Sequence, residues 1–147
     1  EHLEEEKRKQ KAAAEQAERE YLKEQREKEQ RQKLEQEARG PVSVQMNERS
    51  VLDYLGKYKF ETYISGSKVY VTYGSFSNTY GLIVGNYNGN KQYFINPNVR
   101  CYYGYCKVSA MSLSGGSDFG LSVRSNGDVS IDGDSRVFKR VYKDPYE

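Results

Sequence analysis

The sequence predicts a mainly β domain, either a small antiparallel β-barrel or a meander or sandwich of about nine short strands, preceded by a long charged α-helix. Three observations carry this expectation. Residues 40–147 hold all 13 glycines and 13 of the 14 tyrosines, set out as short apolar–polar alternations between turn residues. Residues 1–39 contain no glycine or proline and consist almost wholly of strong helix formers. Nothing after Leu55 reads as a crossover helix, which parallel strands would require. The expected organisation is a helical stalk or coiled-coil segment over 1–39, a linker over 40–47, and a β domain with a short leading helix over 48–147.

The stalk carries 12 Glu against 11 Lys and Arg. Glu precedes a cation by four residues at Glu4–Arg8, Glu15–Arg19, Glu24–Lys28, Glu27–Arg31 and Glu35–Arg39, each pair contributing about 0.2–0.5 kcal/mol. Gly40 and Pro41 supply a stop signal. A helix of this length reaches roughly 58 Å at 1.5 Å per residue. The heptad register through Leu3 and Ala17 also carries Gln10, Glu24 and Arg31, so few apolar layers are present for a self-sufficient coiled coil. A solvated spacer, a weak or truncated coiled coil and a charged tail remain open readings.

Asn47 is placed to cap a two-turn helix over Glu48–Leu55 with Val51, Leu52 and Leu55 inward. From Lys57 the period becomes two. Lys57–Ile64, Lys68–Tyr73, Tyr80–Tyr87, Lys91–Ile95, Val99–Tyr103, Tyr105–Leu113, Leu121–Ser125, Asp128–Asp132 and Arg136–Tyr142 read as strands. Asn88-Gly89 and Asn126-Gly127 are hairpin signals. Gly74–Thr79 and Ser114–Gly120 are expected loops, and Asn96-Pro97-Asn98 an expected turn.

A short helix, then Leu55-Gly56-Lys57-Tyr58, then a run of hairpins is similar to the opening of lipocalin-like barrels. Tyr58 stands where that family has tryptophan. The resemblance implies an apolar ligand inside the barrel, although so short a run of strands would give a small barrel that its own side chains can fill.

Cys101 and Cys106 bracket Tyr102-Tyr103-Gly104-Tyr105. A hairpin there would set the two cysteines opposite each other, where a disulfide fits; free thiols and a redox or metal role are the alternatives. A disulfide points to an oxidising, extracytoplasmic compartment, whether periplasmic, cell-surface or secreted. Asp128, Asp132 and Asp134 cluster near glycine, but without calcium-loop spacing they read as a polar turn. The single histidine, His2, lies in the stalk, so a Ser/His/Asp or Cys/His arrangement cannot form within the β domain by sequence alone. No catalytic residue, metal site or cofactor is expected.

Tyr58 and Tyr73 share strand faces with Val, Ile or Phe and read as core. Tyr63, Tyr70, Tyr87, Tyr102, Tyr103 and Tyr105 fall on polar faces or in loops. Exposed tyrosine among Ser, Asn and Gly combines rigid contact area with adaptable hydrogen bonding, while cross-strand pairing alone is the plainer explanation. The expected function is therefore a non-enzymatic structural or interaction module within a larger assembly, such as a cell-envelope complex or a fibre. Its tip would be Tyr102–Tyr105, with a protein partner or self-association through the stalk, and glycan contact through exposed tyrosines. The alternative is a carrier of a small apolar ligand, with Phe60, Val71 and Ile83 lining its cavity.

Nucleic acid is not expected, because residues 40–147 carry only 12 Lys and Arg against 9 Asp and Glu. No apolar run is long enough to span a membrane in this fragment. Opening on Glu1 rather than Met, the chain reads as a processed or trimmed product, with any leader or anchor outside it.

Overall fold

A computed structural model describes residues 2–146, which divide into two compact units, one of residues 2–36 with 144–146 and one of residues 37–143. The first helix, α1, spans His2–Arg39. Asp144–Tyr146 belong to the first unit: Arg31 Nε donates to Asp144 Oδ2 at 3.0 Å, the Arg31 guanidinium lies 5.2 Å from the Tyr146 ring centre, and Tyr146 also bonds Gln30. Among the described residues, no helix is long and apolar enough to cross a membrane.

The second unit is mainly β: eight antiparallel strands form a curled half-barrel. They are β1 Tyr58–Ile64, β2 Ser67–Phe76, β3 Thr79–Asn86, β4 Lys91–Tyr102, β5 Tyr105–Ser112, β6 Phe119–Arg124, β7 Val129–Ile131 and β8 Lys139–Tyr142. The order β7-β6-β5-β4-β3-β2-β1-β8 is a meander in which the last strand returns to the first. An isolated bridge from Ser130 to Val137 ties β7 to the segment entering β8.

Eight strands appear where nine were expected, because Lys91–Ile95 and Val99–Tyr103 are one strand. Asn96-Pro97 does not turn the chain. It forms a β-bulge with Asn96 at φ +52°, placing one extra residue between Ile95 and Asn98 opposite β5. The bulge reverses the alternation, so Phe94 and Val99, five apart in sequence, both join the core. The loop expected over Gly74–Thr79 is also much shorter. β2 runs on to Phe76 and reverses over Ser77-Asn78, both in the left-handed region at φ +45° and +63°, as a tight two-residue hairpin demands.

The short helix α2 spans Glu48–Lys57, with the Asn47 side chain accepting from Ser50 N at 2.8 Å, the arrangement that satisfies a first-turn donor. Its apolar stripe buries Val51, Tyr54 and Leu55. These meet Phe60, Val71, Leu82, Val108, Leu121, Val123 and Val129 in a single core, where full burial of a large aliphatic or aromatic side chain contributes about 1.5–3 kcal/mol. Residues 40–47 are extended and packed, with Val44 buried and its N–H donating to Ser125 O at 2.8 Å.

Phe60 and Val71 are wholly buried in that core. Ile83 pairs with Thr72 and Tyr93 on the outer face, because Leu82 takes the inward position beside Tyr73 and Phe94. Phe60, Val71 and Ile83 therefore do not line one cavity.

Candidate functional site

The bulge in β4 sets up the β4–β5 hairpin. With the alternation reset, Val99 and Cys101 fall on the inner side and Arg100 and Tyr102 on the outer. β5 meets them in register, Arg100 opposite Lys107, Cys101 opposite Cys106 and Tyr102 opposite Tyr105. Cys101 and Cys106 form a disulfide directly beneath a two-residue turn of Tyr103 and Gly104. Gly104 adopts φ +86°, a conformation that a side chain would oppose.

The turn is braced from three sides. The disulfide closes its base, Ser125 N donates to Gly104 O at 3.1 Å, and Cys106 Sγ lies 3.7 Å from Met46 Sδ. Above this base the Tyr102 and Tyr105 rings stack at 5.2 Å between centroids, 21° from parallel. Tyr103 is fully exposed at the apex. The sequence-predicted Tyr102, Tyr103, Tyr105, Cys101 and Cys106 thus come together in one place.

Beside the hairpin runs an open groove of about 570 Å³, lined by Tyr103, Tyr105, Ser122, Arg124, Ser130 and Asp134 among others. Cross-strand register builds it: Tyr105 faces Arg124, and Ser122 faces Lys107 on one side and Ser130 on the other. Arg136 grips the Asp134 carboxylate, with Nη2 at 2.8 Å from Oδ2 and its backbone N–H at 2.9 Å from Oδ1. Those hydrogen bonds from Arg136 hold the Asp134 carboxyl below the usual carboxylate range. Asp132 sits 3.7 Å from Lys107 Nζ, and the Asp128 backbone and side chain bond Asn126.

Tyr63, Tyr70 and Tyr87 occupy a different place, the outer face of β1–β3. Tyr63 and Tyr87 are exposed there, but Tyr70 is buried, contrary to its expected place among exposed contact residues. The reason is Gly85, opposite Tyr70 in the register: without a Cβ it leaves a hollow that the Tyr70 ring fills. Tyr87 lies 5.4 Å from Tyr70, ring centre to ring centre, and Lys59 Nζ lies 5.0 Å from the Tyr70 ring. Below them Glu61, itself buried, bonds the Tyr87 hydroxyl and lies 3.5 Å from Lys68 Nζ. This cluster is a self-satisfied cross-strand network with little left to offer a ligand.

Sequence reasoning missed Ser122, Arg124, Ser130 and Ser135 of the groove. The alternation in Leu121–Ser125 puts Ser122 and Arg124 on the polar side, but only the β5–β6 register brings Arg124 to Tyr105. Comparison of the chain with protein-family models, with curated proteins and with solved structures finds no match.

Proposed function

We propose that this chain is a non-enzymatic interaction module whose β domain makes contact through the Tyr102–Tyr105 hairpin and the groove beside it, within a larger assembly served by α1 as a spacer or joining segment. One observation carries the reading: a fully exposed tyrosine crowns a turn braced by a disulfide, a backbone hydrogen bond and a sulfur contact. Rigid aromatic groups lose little conformational entropy on binding, so bracing of this kind serves contact. The disulfide also favours an extracytoplasmic location. The carrier reading has less support, because Phe60 and Val71 spend their burial on the protein's own core.

The test is co-purification from the native source with the wild-type chain and with a Tyr102→Ala/Tyr103→Ala/Tyr105→Ala variant of unchanged circular dichroism. The reading expects a companion molecule with the wild type that the variant loses. Equal recovery with both would remove the hairpin from the function.

A further inference from the structure

We propose that the groove beside the hairpin binds an acidic saccharide, a pyranose bearing a carboxylate, with Arg124 receiving the carboxylate. This rests on the reading that the hairpin end is the contact surface, and it names the chemistry of what is contacted. At about 570 Å³ the groove falls within the roughly 300–1,000 Å³ of small-ligand sites. Its lining has the two-sided character that a sugar ring demands, with the flat side chains of Tyr103 and Tyr105 for a C–H face and the hydroxyls of Ser122, Ser130 and Ser135 for the ring's own hydroxyls. Among the described residues no hydrogen bond engages those three serine hydroxyls, each of which can donate and accept.

Charge selects the acidic class. The groove's own carboxylate, Asp134, is already taken by Arg136 through side chain and backbone. Among the described residues Arg124 forms no ion pair, and Arg100 and Lys107, directly opposite one another, add the same sign close by. Lys107 is itself paired with Asp132 at 3.7 Å, and Asp128, whose backbone carbonyl accepts from Arg124 N at 2.9 Å, has its carboxylate bonded by the Asn126 side chain. A planar guanidinium with a free fork takes a carboxylate through two parallel hydrogen bonds. An acidic peptide could use Arg124 but would not match three hydroxyls beside two rings.

The test is an amide NMR titration of the whole chain with glucuronic acid, with glucose and with tetraglutamate, repeated with Arg124→Gln. Arg124 is exposed, so that variant keeps its fold, which its spectrum will show. Saturable shifts at Gly104, Ser122, Arg124 and Ser130 are expected with glucuronic acid, with glucose weaker by about tenfold and the preference abolished by Arg124→Gln. No saturable shift, equal binding of the two sugars, tetraglutamate as tight as glucuronic acid, or a preference that survives Arg124→Gln would each overturn the proposal. Should the tyrosine triple variant lose its companion while glucuronic acid shifts nothing, the saccharide fails and the contact surface stands.

Discussion

Arg140 donates from Nη1 to the Tyr54 hydroxyl at 2.9 Å, and that hydroxyl donates in turn to the carbonyl of buried Gly127 at 2.7 Å. Arg140 also donates from Nε to Ala38 O at 2.5 Å and from Nη2 to Gly40 O, at the end of α1, where carbonyls lack helical partners. Its guanidinium rests 5.3 Å from the Tyr58 ring centre. One side chain on β8 thus serves α2, the Asn126-Gly127 turn and the chain leaving α1. Tyr54→Phe leaves Gly127 O buried without its donor and is expected to cost about 1–3 kcal/mol in urea unfolding. Arg140→Met strips two carbonyls and the Tyr54 hydroxyl of their donor at once and should cost more than Tyr54→Phe.

The same tyrosine predicts a pH dependence. Burial raises the Tyr54 hydroxyl above its ordinary 10.0, against the lowering pull of Arg140. A folded pKa raised above the unfolded one means stability that is complete below about pH 10 and lost as pH climbs through the folded value. Lys143, donating to Gly56 O at 2.5 Å, is lowered first by burial and then by Lys59, so its contribution rises over pH values just below its ordinary 10.5. Urea midpoints across alkaline pH should therefore fall more steeply for the wild type than for Tyr54→Phe. Parallel curves would show that the hydroxyl does not titrate with unfolding.

Two glycines in β3 separate backbone crowding from side-chain crowding. A Cβ at Gly81 would lie 2.1 Å from Phe94 O, a backbone atom that cannot yield without parting β3 from β4. A Cβ at Gly85 would lie 2.8 Å from the Tyr70 ring. Gly81→Ala is expected to prevent folding, whereas Gly85→Ala should cost about 1–3 kcal/mol. In a Tyr70→Ala background the Gly85→Ala cost should largely vanish, a coupling that a double-mutant cycle measures.

Much of this architecture is legible in the chain. Asn47 announces its helix cap, Asn88-Gly89 and Asn126-Gly127 announce their turns, and the cysteine pair bracketing Gly104 announces a closed hairpin. What misleads is local chemistry overruled by pairing. Asn96-Pro97-Asn98 carries every mark of a turn, yet β3 and β5 hold both flanks of it in one strand, and the proline sits at a bulge where no ladder hydrogen bond is needed. Tyr70 reads as exposed because alternation gives its face but not the glycine opposite. Arg124 reads as an ordinary polar position because register is a property of two strands.

The disulfide closes a loop of only a few residues, with a sequence separation of 5. Loop-closure entropy for so short a span is worth about 2 kcal/mol. Cys101→Ser with Cys106→Ala should leave a folded domain whose urea midpoint falls accordingly and whose Gly104 amide exchanges faster. Unchanged exchange at Gly104 would mean that Ser125 and Met46 brace the turn without the disulfide.

The most direct measurement is photo-crosslinking in the native source from benzoylphenylalanine placed at Tyr103, compared with the same group at exposed Tyr80 near the Ser77-Asn78 turn. The account predicts one discrete adduct from position 103 and none from position 80. Adducts of equal yield at both positions, or an adduct from 80 alone, would contradict the assignment of the tyrosine hairpin as the contact surface.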